Sequence, residues 1–128
     1  MRLLLDTHVA LWALMDDPRL STKARGLIAD NENRVFISAA SLWEIAIKHA
    51  LGRGGIPFSA EDALRHFTEA GYEFLGVRPS HAVVVETLPQ IHGDPFDRML
   101  VSQALAEPMR LLTHDRLLVS YSDVVLAL

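Results

Sequence analysis

The chain contains no cysteine. Disulfide bridges, cysteine-ligated zinc and thiol catalysis are therefore excluded. Lysine is almost as scarce: Lys23 and Lys48 are the only two, beside ten arginines. Both lie early, which counts against an Mg-dependent receiver-like phosphoacceptor domain, whose phosphoryl group pairs with a lysine after a late strand. No apolar run reaches the ~18 residues of a membrane span. The apolar opening Met1–Met15 is interrupted by Asp6 and His8, and no small-residue cleavage site follows. A cytoplasmic protein whose first residues belong to the core is the expectation. Repeats, charge blocks and low-complexity tracts are also lacking. The loop-forming clusters Asp16-Asp17-Pro18, Gly52-Arg53-Gly54-Gly55 and Gly93-Asp94-Pro95 are too short to link domains.

What remains is 128 residues, 50% hydrophobic and 22% charged. That length and composition predict one soluble globular domain over residues 1–128. Acidic residues number 16 and basic ones 12, a formal net charge of −4. This balance argues against holding nucleic acid through a broad basic surface. It leaves room for a protein that acts on nucleic acid through a bound cation.

Strand-like and helix-like segments alternate. Arg2–Leu5, Val35–Ser38, Tyr72–Val77 and Arg110–Thr113 read as short strands, with Val124–Leu126 as a fifth candidate. Thr7–Met15 is apolar nearly all round, as a buried helix is. Ser21 and Ser59 are placed to cap helices, and Gly52 and Gly71 to stop them. Ala39–Leu51 and Pro95–Ala106 carry helical periodicity. Ser80–Leu88 is ambiguous: Val83-Val84-Val85 favours a strand, whereas its length and Pro89 fit a helix. Such alternation predicts an α/β domain with a mostly parallel sheet covered on both faces. In that architecture ligands bind beyond the carboxyl ends of the strands.

Two acids stand at such ends, Asp6 after Leu3-Leu4-Leu5 and Asp115 after Leu111-Leu112-Thr113-His114. Glu44 and Asp97 lie near helix starts that can face the same edge. Each also has a structural reading. Asp6 and Asp115 can cap the following helix. Glu44 has capping-box spacing from Ser41 and ion-pair spacing to Lys48. Asp97 suits the first turn after the Asp94-Pro95 cap. If the four converge, their mutual repulsion requires protons or a cation. An oxygen-only donor set favours Mg²⁺ or Mn²⁺. A carboxylate-held ion of that kind orients and deprotonates a water and stabilises an in-line displacement at phosphorus.

The segments LLLDTHVALWAL (Leu3–Leu14), ISAASLWEIAIKHALGRG (Ile37–Gly54), HGDPFDRMLVSQALAE (His92–Glu107) and LLTHDRLL (Leu111–Leu118) resemble the PIN-domain ribonucleases. More narrowly, they resemble the VapC-type toxins of toxin–antitoxin pairs. They run in family order over nearly the whole chain, and the third is the most specific. The resemblance implies a three-layer sandwich with a four- or five-stranded sheet between helices. It places a metal-holding, catalytic acidic site on Asp6, Glu44, Asp97 and Asp115, supported by Thr7 and Thr113, with one or two Mg²⁺ or Mn²⁺ ions. It implies RNA as substrate, a cognate VapB-type antitoxin and a homodimer. His8 occupies a position where the wider family often has an amide or hydroxyl residue, and neither its role nor that of His114 is fixed.

Arg98, Arg116 and Lys48 are candidate phosphate contacts, each with an alternative as a surface or ion-pairing residue. Trp12 and Trp43 read as core or dimer-interface residues rather than base-stacking platforms. The expected function is a metal-dependent endoribonuclease, the toxin of a type II pair. A non-catalytic PIN-like binding or assembly module is the alternative. A haloacid-dehalogenase-type phosphatase lacks its second aspartate, because His8 stands there. Without the four acids, acidic and basic residues balance at twelve each, so the entire −4 equals the charge of one site.

Overall fold

Short, unbroken apolar runs form the central strands because both faces of the sheet are covered. In the computed structural model, which describes Met1–Leu128, five strands form: β1 (Arg2–Leu5), β2 (Arg34–Ser38), β3 (Glu73–Leu75), β4 (Arg110–Thr113) and β5 (Val125–Ala127). Their order is β3-β2-β1-β4-β5 and every pairing is parallel. Parallel strands need crossovers, and helices supply most of each one. These are α1 (Thr7–Met15), α2 (Thr22–Ala29), α3 (Ala39–Ala50), α4 (Ala60–Glu69), α5 (Pro79–Thr87) and α6 (Pro95–Ala106), with a 3-10 helix over Arg116–Tyr121. The α/β architecture with a parallel sheet between helical layers is the one expected, with five strands.

Side chains alternate across the central strand and feed two cores. Leu3 and Leu5 join Val35, Ile37 and Leu112 with Val9, Ala24, Ile45 and Phe67. Leu4 points to the other face, among Phe36, Leu111, Leu100, Val101 and Ala104. The interior of β1 is fully buried, which explains its unbroken Leu-Leu-Leu run.

The ambiguous segment is a helix, α5. Pro79 pre-forms its first turn, and the Arg78 N–H donates to His81 Nδ1 at its start. It packs along α6. The third strand is shorter than expected because Tyr72 and Gly76 fall outside the pairing with β2. No helix is long and apolar enough to cross a membrane.

The chain passes from β1 to β2 on one side and returns to β4 on the other. The crevice between the ends of β1 and β4 is thus the topological switch point of the sheet.

Candidate metal centre

Asp6 leaves β1 at that switch point and is 2% exposed. Its backbone N–H donates to the Leu112 carbonyl at 3.0 Å, which carries the residue to the β4 boundary. One carboxylate oxygen, Oδ1, accepts from the Val9 N–H at 2.7 Å and caps α1. The other, Oδ2, accepts from the Thr113 hydroxyl at the end of β4, and His114 Nδ1 lies 3.4 Å away. Asp6 is therefore both a helix cap and a side chain aimed at the crevice.

Glu44 enters from α3. It lies in the helix interior, because Ser38 rather than Ser41 is the N-cap. The capping-box reading is thereby replaced. Glu44 is 3% exposed. Its Oε1 accepts from the Thr7 hydroxyl at 2.6 Å, and Ser41 Oγ lies 3.0 Å from the same hydroxyl. Its Oε2 pairs with Lys48 one turn on. The pair lies mostly under the surface. Burial works to lower the Lys48 pKa, but the hydrogen bond and charge of Glu44 outweigh it, helped by Asp94 and Asp97, so the net shift is upward.

Asp97 stands in the first turn of α6. Asp94 caps that helix, with Oδ1 accepting from the Phe96 N–H at 2.8 Å and the Asp97 N–H at 3.4 Å. The Asp97 carboxyl is pushed up to about 7 by burial and by the charges of Asp94, Asp6 and Glu44. Acids from β1, α3 and α6 therefore act on one another. The ring nitrogen nearest its carboxylate, His92 Nε2, is 3.7 Å away, beyond hydrogen-bond reach.

Asp115 follows β4. Its Oδ1 accepts from the Leu117 N–H at 3.0 Å, capping the 3-10 helix, and its Oδ2 lies 2.8 Å from His92 Nε2. Ligand-type atoms of His92, Asp97 and Asp115 all lie within 4.8 Å of one another. The donors offered are carboxylate oxygens, hydroxyls and one imidazole. Such a set, with one acid already held toward its protonated form, fits a hard divalent cation.

The basic candidates separate. Arg98 is 8% exposed, and its guanidinium donates to the carbonyls of Val85, Leu88 and Pro89 and to the Tyr121 hydroxyl. Its donors are spent on the last turn of α5, the loop after it and Tyr121, so the expectation of a phosphate contact is corrected: a buried, bonded guanidinium cannot meet a backbone phosphate. Lys48 is committed to Glu44. Arg116 is exposed beside Asp115.

Burial and hydrogen bonding separate the two unassigned histidines. Burial lowers the His8 pKa against the pull of Asp6. The hydrogen bond to Asp6 raises that of His114. The His114 ring stands edge-on to both His8 and Trp12, with centroids 5.2 and 4.9 Å apart. Trp43 is 63% exposed, so it is not a core residue; it stands edge-on to Phe96.

His92 was not among the sequence candidates. Its signal is local: it sits two residues before the cap Asp94 in His92-Gly93-Asp94-Pro95-Phe96-Asp97.

Residues 3–123 match the PIN domain family model. The chain is 32% identical over 119 residues to Ribonuclease VapC22 of Mycobacterium tuberculosis, covering 92% of this chain and 90% of that protein. Among solved structures it resembles VapBC2 from Rickettsia felis bound to a promoter DNA fragment. There the TM-score is 0.71 at 18% identity, over 98% of this chain and 96% of that one. It also resembles FitAcB from Neisseria gonorrhoeae, with a TM-score of 0.60 at 18% identity, over 96% and 94% of the two chains. On the family match and on this identity over nearly its full length, the chain belongs to the PIN-domain family.

Proposed function

We propose that this protein is a divalent-metal-dependent endoribonuclease and the toxin of a type II toxin–antitoxin pair. The observation that carries the reading is the meeting of Asp97 and Asp115 at the switch point of the sheet, where their carboxylate oxygens and a His92 ring nitrogen lie within 4.8 Å of one another. The 32% identity to a ribonuclease, over 92% of this chain, supports the nuclease activity. The likeness to a VapBC2 assembly supports a VapB-type partner.

Asp6, Glu44, Asp97 and Asp115 would hold one or two Mg²⁺ or Mn²⁺ ions. When bound, such an ion polarises water and offsets the charge that gathers on phosphorus during hydrolysis. The chain's own residues prepare the site. Thr113 and Thr7 fix Asp6 and Glu44 through hydroxyl donors. The Lys48 ammonium offsets one of the four negative charges. Arg116, exposed at the same edge, offers a guanidinium to an RNA phosphate. The exposed apolar residues Trp43 and Val77 support a homodimer.

The test is cleavage of total RNA with Mg²⁺ or Mn²⁺, beside Asp97→Asn and an excess of chelator. Cleavage should require both the metal and the acid, and coexpression with the neighbouring reading frame should relieve toxicity. RNA cutting that persists in chelator, or in a folded Asp97→Asn variant, would overturn the mechanism. A protein stabilised by neither ion would be a non-catalytic module instead.

A further inference from the structure

The loop between α5 and α6, Leu88–Asp94, carries His92 into the candidate site, and it is bolted from behind. The buried Arg98 guanidinium ties the Val85, Leu88 and Pro89 carbonyls together, at 3.1, 3.4 and 2.9 Å, and meets the Tyr121 hydroxyl at 3.1 Å. That hydroxyl in turn accepts from the His92 backbone N–H at 2.8 Å and faces the His92 carbonyl at 3.4 Å. The backbone of His92 is thus held by the Tyr121 hydroxyl, which Arg98 holds in turn.

Its ring is held as well. The Asp94 N–H donates to His92 Nδ1 at 3.0 Å. A backbone N–H can only donate, so Nδ1 presents its lone pair and the ring hydrogen sits on Nε2. That Nε2–H points at Asp115 Oδ2, 2.8 Å away. Proximity alone would admit His92 to a metal-ligand trio with Asp97 and Asp115. The Asp94 bond argues against it, because a ligating Nε2 needs its lone pair free and its hydrogen on Nδ1. The Leu117 N–H takes the other Asp115 oxygen at 3.0 Å, so two donors fix that carboxylate's plane.

We propose that His92 is a positioning residue of this centre: through its Nε2–H it sets the Asp115 carboxylate beside Asp97, and it is not itself a ligand. The inference rests on the reading of Asp97 and Asp115 as metal-holding acids. Carboxylates that bind metals are oriented by such partners, and losing the partner typically weakens metal binding by about 10–100-fold.

The test is Mn²⁺ affinity by calorimetry on wild type, His92→Ala and His92→Gln, with thermal unfolding of each metal-free protein. Glutamine can place an N–H where Nε2–H stands, whereas alanine cannot. His92→Ala should bind Mn²⁺ at least about tenfold more weakly, and His92→Gln should stay within about threefold of wild type. Nitrogen NMR of the wild-type ring should show the hydrogen on Nε2 both before and after Mg²⁺ is added. Equal Mn²⁺ affinity in wild type and His92→Ala would overturn the positioning role alone. A hydrogen that moves to Nδ1 on Mg²⁺ addition, with His92→Gln as weak as His92→Ala, would make His92 a ligand and overturn it too. A wild type that binds no Mn²⁺ would remove the metal centre itself, and the inference with it.

Discussion

The Thr113 hydroxyl donates to the carboxylate of Asp6 across the β1–β4 boundary, joining two residues 107 positions apart in the chain. The bond is fully buried, since Thr113 is 0% and Asp6 2% exposed. The same hydroxyl accepts from the Asp115 N–H at 3.0 Å. One side chain therefore sets the relation between the first and last of the four acids. It also turns the end of β4 toward the crevice.

Thr113→Val keeps the shape and removes both bonds. A buried carboxylate oxygen then loses its donor, at a cost of about 1–3 kcal/mol. Denaturant unfolding of the metal-free variant should show that loss as a lower midpoint at unchanged slope. Stability equal to wild type would mean that Asp6 is held by its α1 cap alone.

Asp97 gives the metal-free protein a pH dependence of definite sign. Its folded pKa of about 7 lies above the ordinary 3.8. Ionisation is therefore disfavoured by folding. The penalty is absent below about pH 4, grows as pH rises, and is complete above about pH 7. For this group, metal-free stability falls as pH rises through that window. Asp97→Asn should remove the dependence and raise metal-free stability at pH 8 by roughly 2–4 kcal/mol. Divalent ions should reverse the trend in wild type, because they replace the proton. A metal-free variant no more stable than wild type at pH 8 would mean the acids do not crowd Asp97.

Much of this was legible in the sequence, for a physical reason. Strand ends and helix caps are local, so Leu3-Leu4-Leu5-Asp6 and Asp94-Pro95-Phe96-Asp97 announce both element and acid. Parallel order then brings the ends of β1 and β4 to one edge. Side-chain partnership is not local. Nothing near Arg98 in the sequence shows that its acceptors lie at the end of α5 and on the loop after it, 9 to 13 residues earlier, and on Tyr121, 23 later. His92 escaped for the same cause, since its partner Asp115 is 23 residues away. Trp43 shows a choice that sequence leaves open: within an apolar run it reads as core or dimer interface, and its 63% exposure excludes the core.

The two arginines that follow acids should respond differently to substitution. Arg98→Met leaves several buried carbonyls without their donor and should lower stability by about 2–4 kcal/mol. Arg116 is exposed and has no ion pair within the chain, so Arg116→Ala should leave stability within about 0.5 kcal/mol. Its effect belongs to RNA. Affinity should fall, and the salt dependence of binding to single strands should flatten by about 0.7 in the log–log slope. Unchanged salt dependence would remove Arg116 from the phosphate contacts.

The exposed indole of Trp43 bears on self-association. With Val77, Val85, Phe96 and Met99 it lines an apolar cavity of about 540 Å³. Trp43 is 63% and Val77 44% exposed, and contiguous apolar surface of this kind marks an interaction site. A second copy covering this face would remove the indole from water, a gain that a charged side chain abolishes. Trp43→Asp should therefore sediment as a monomer at concentrations where wild type is dimeric. Because the indole is mostly exposed in the single chain, thermal stability measured at dilution should change little. Wild-type protein that remains monomeric at high concentration, or a Trp43→Asp variant that dimerises normally, would place the contact elsewhere.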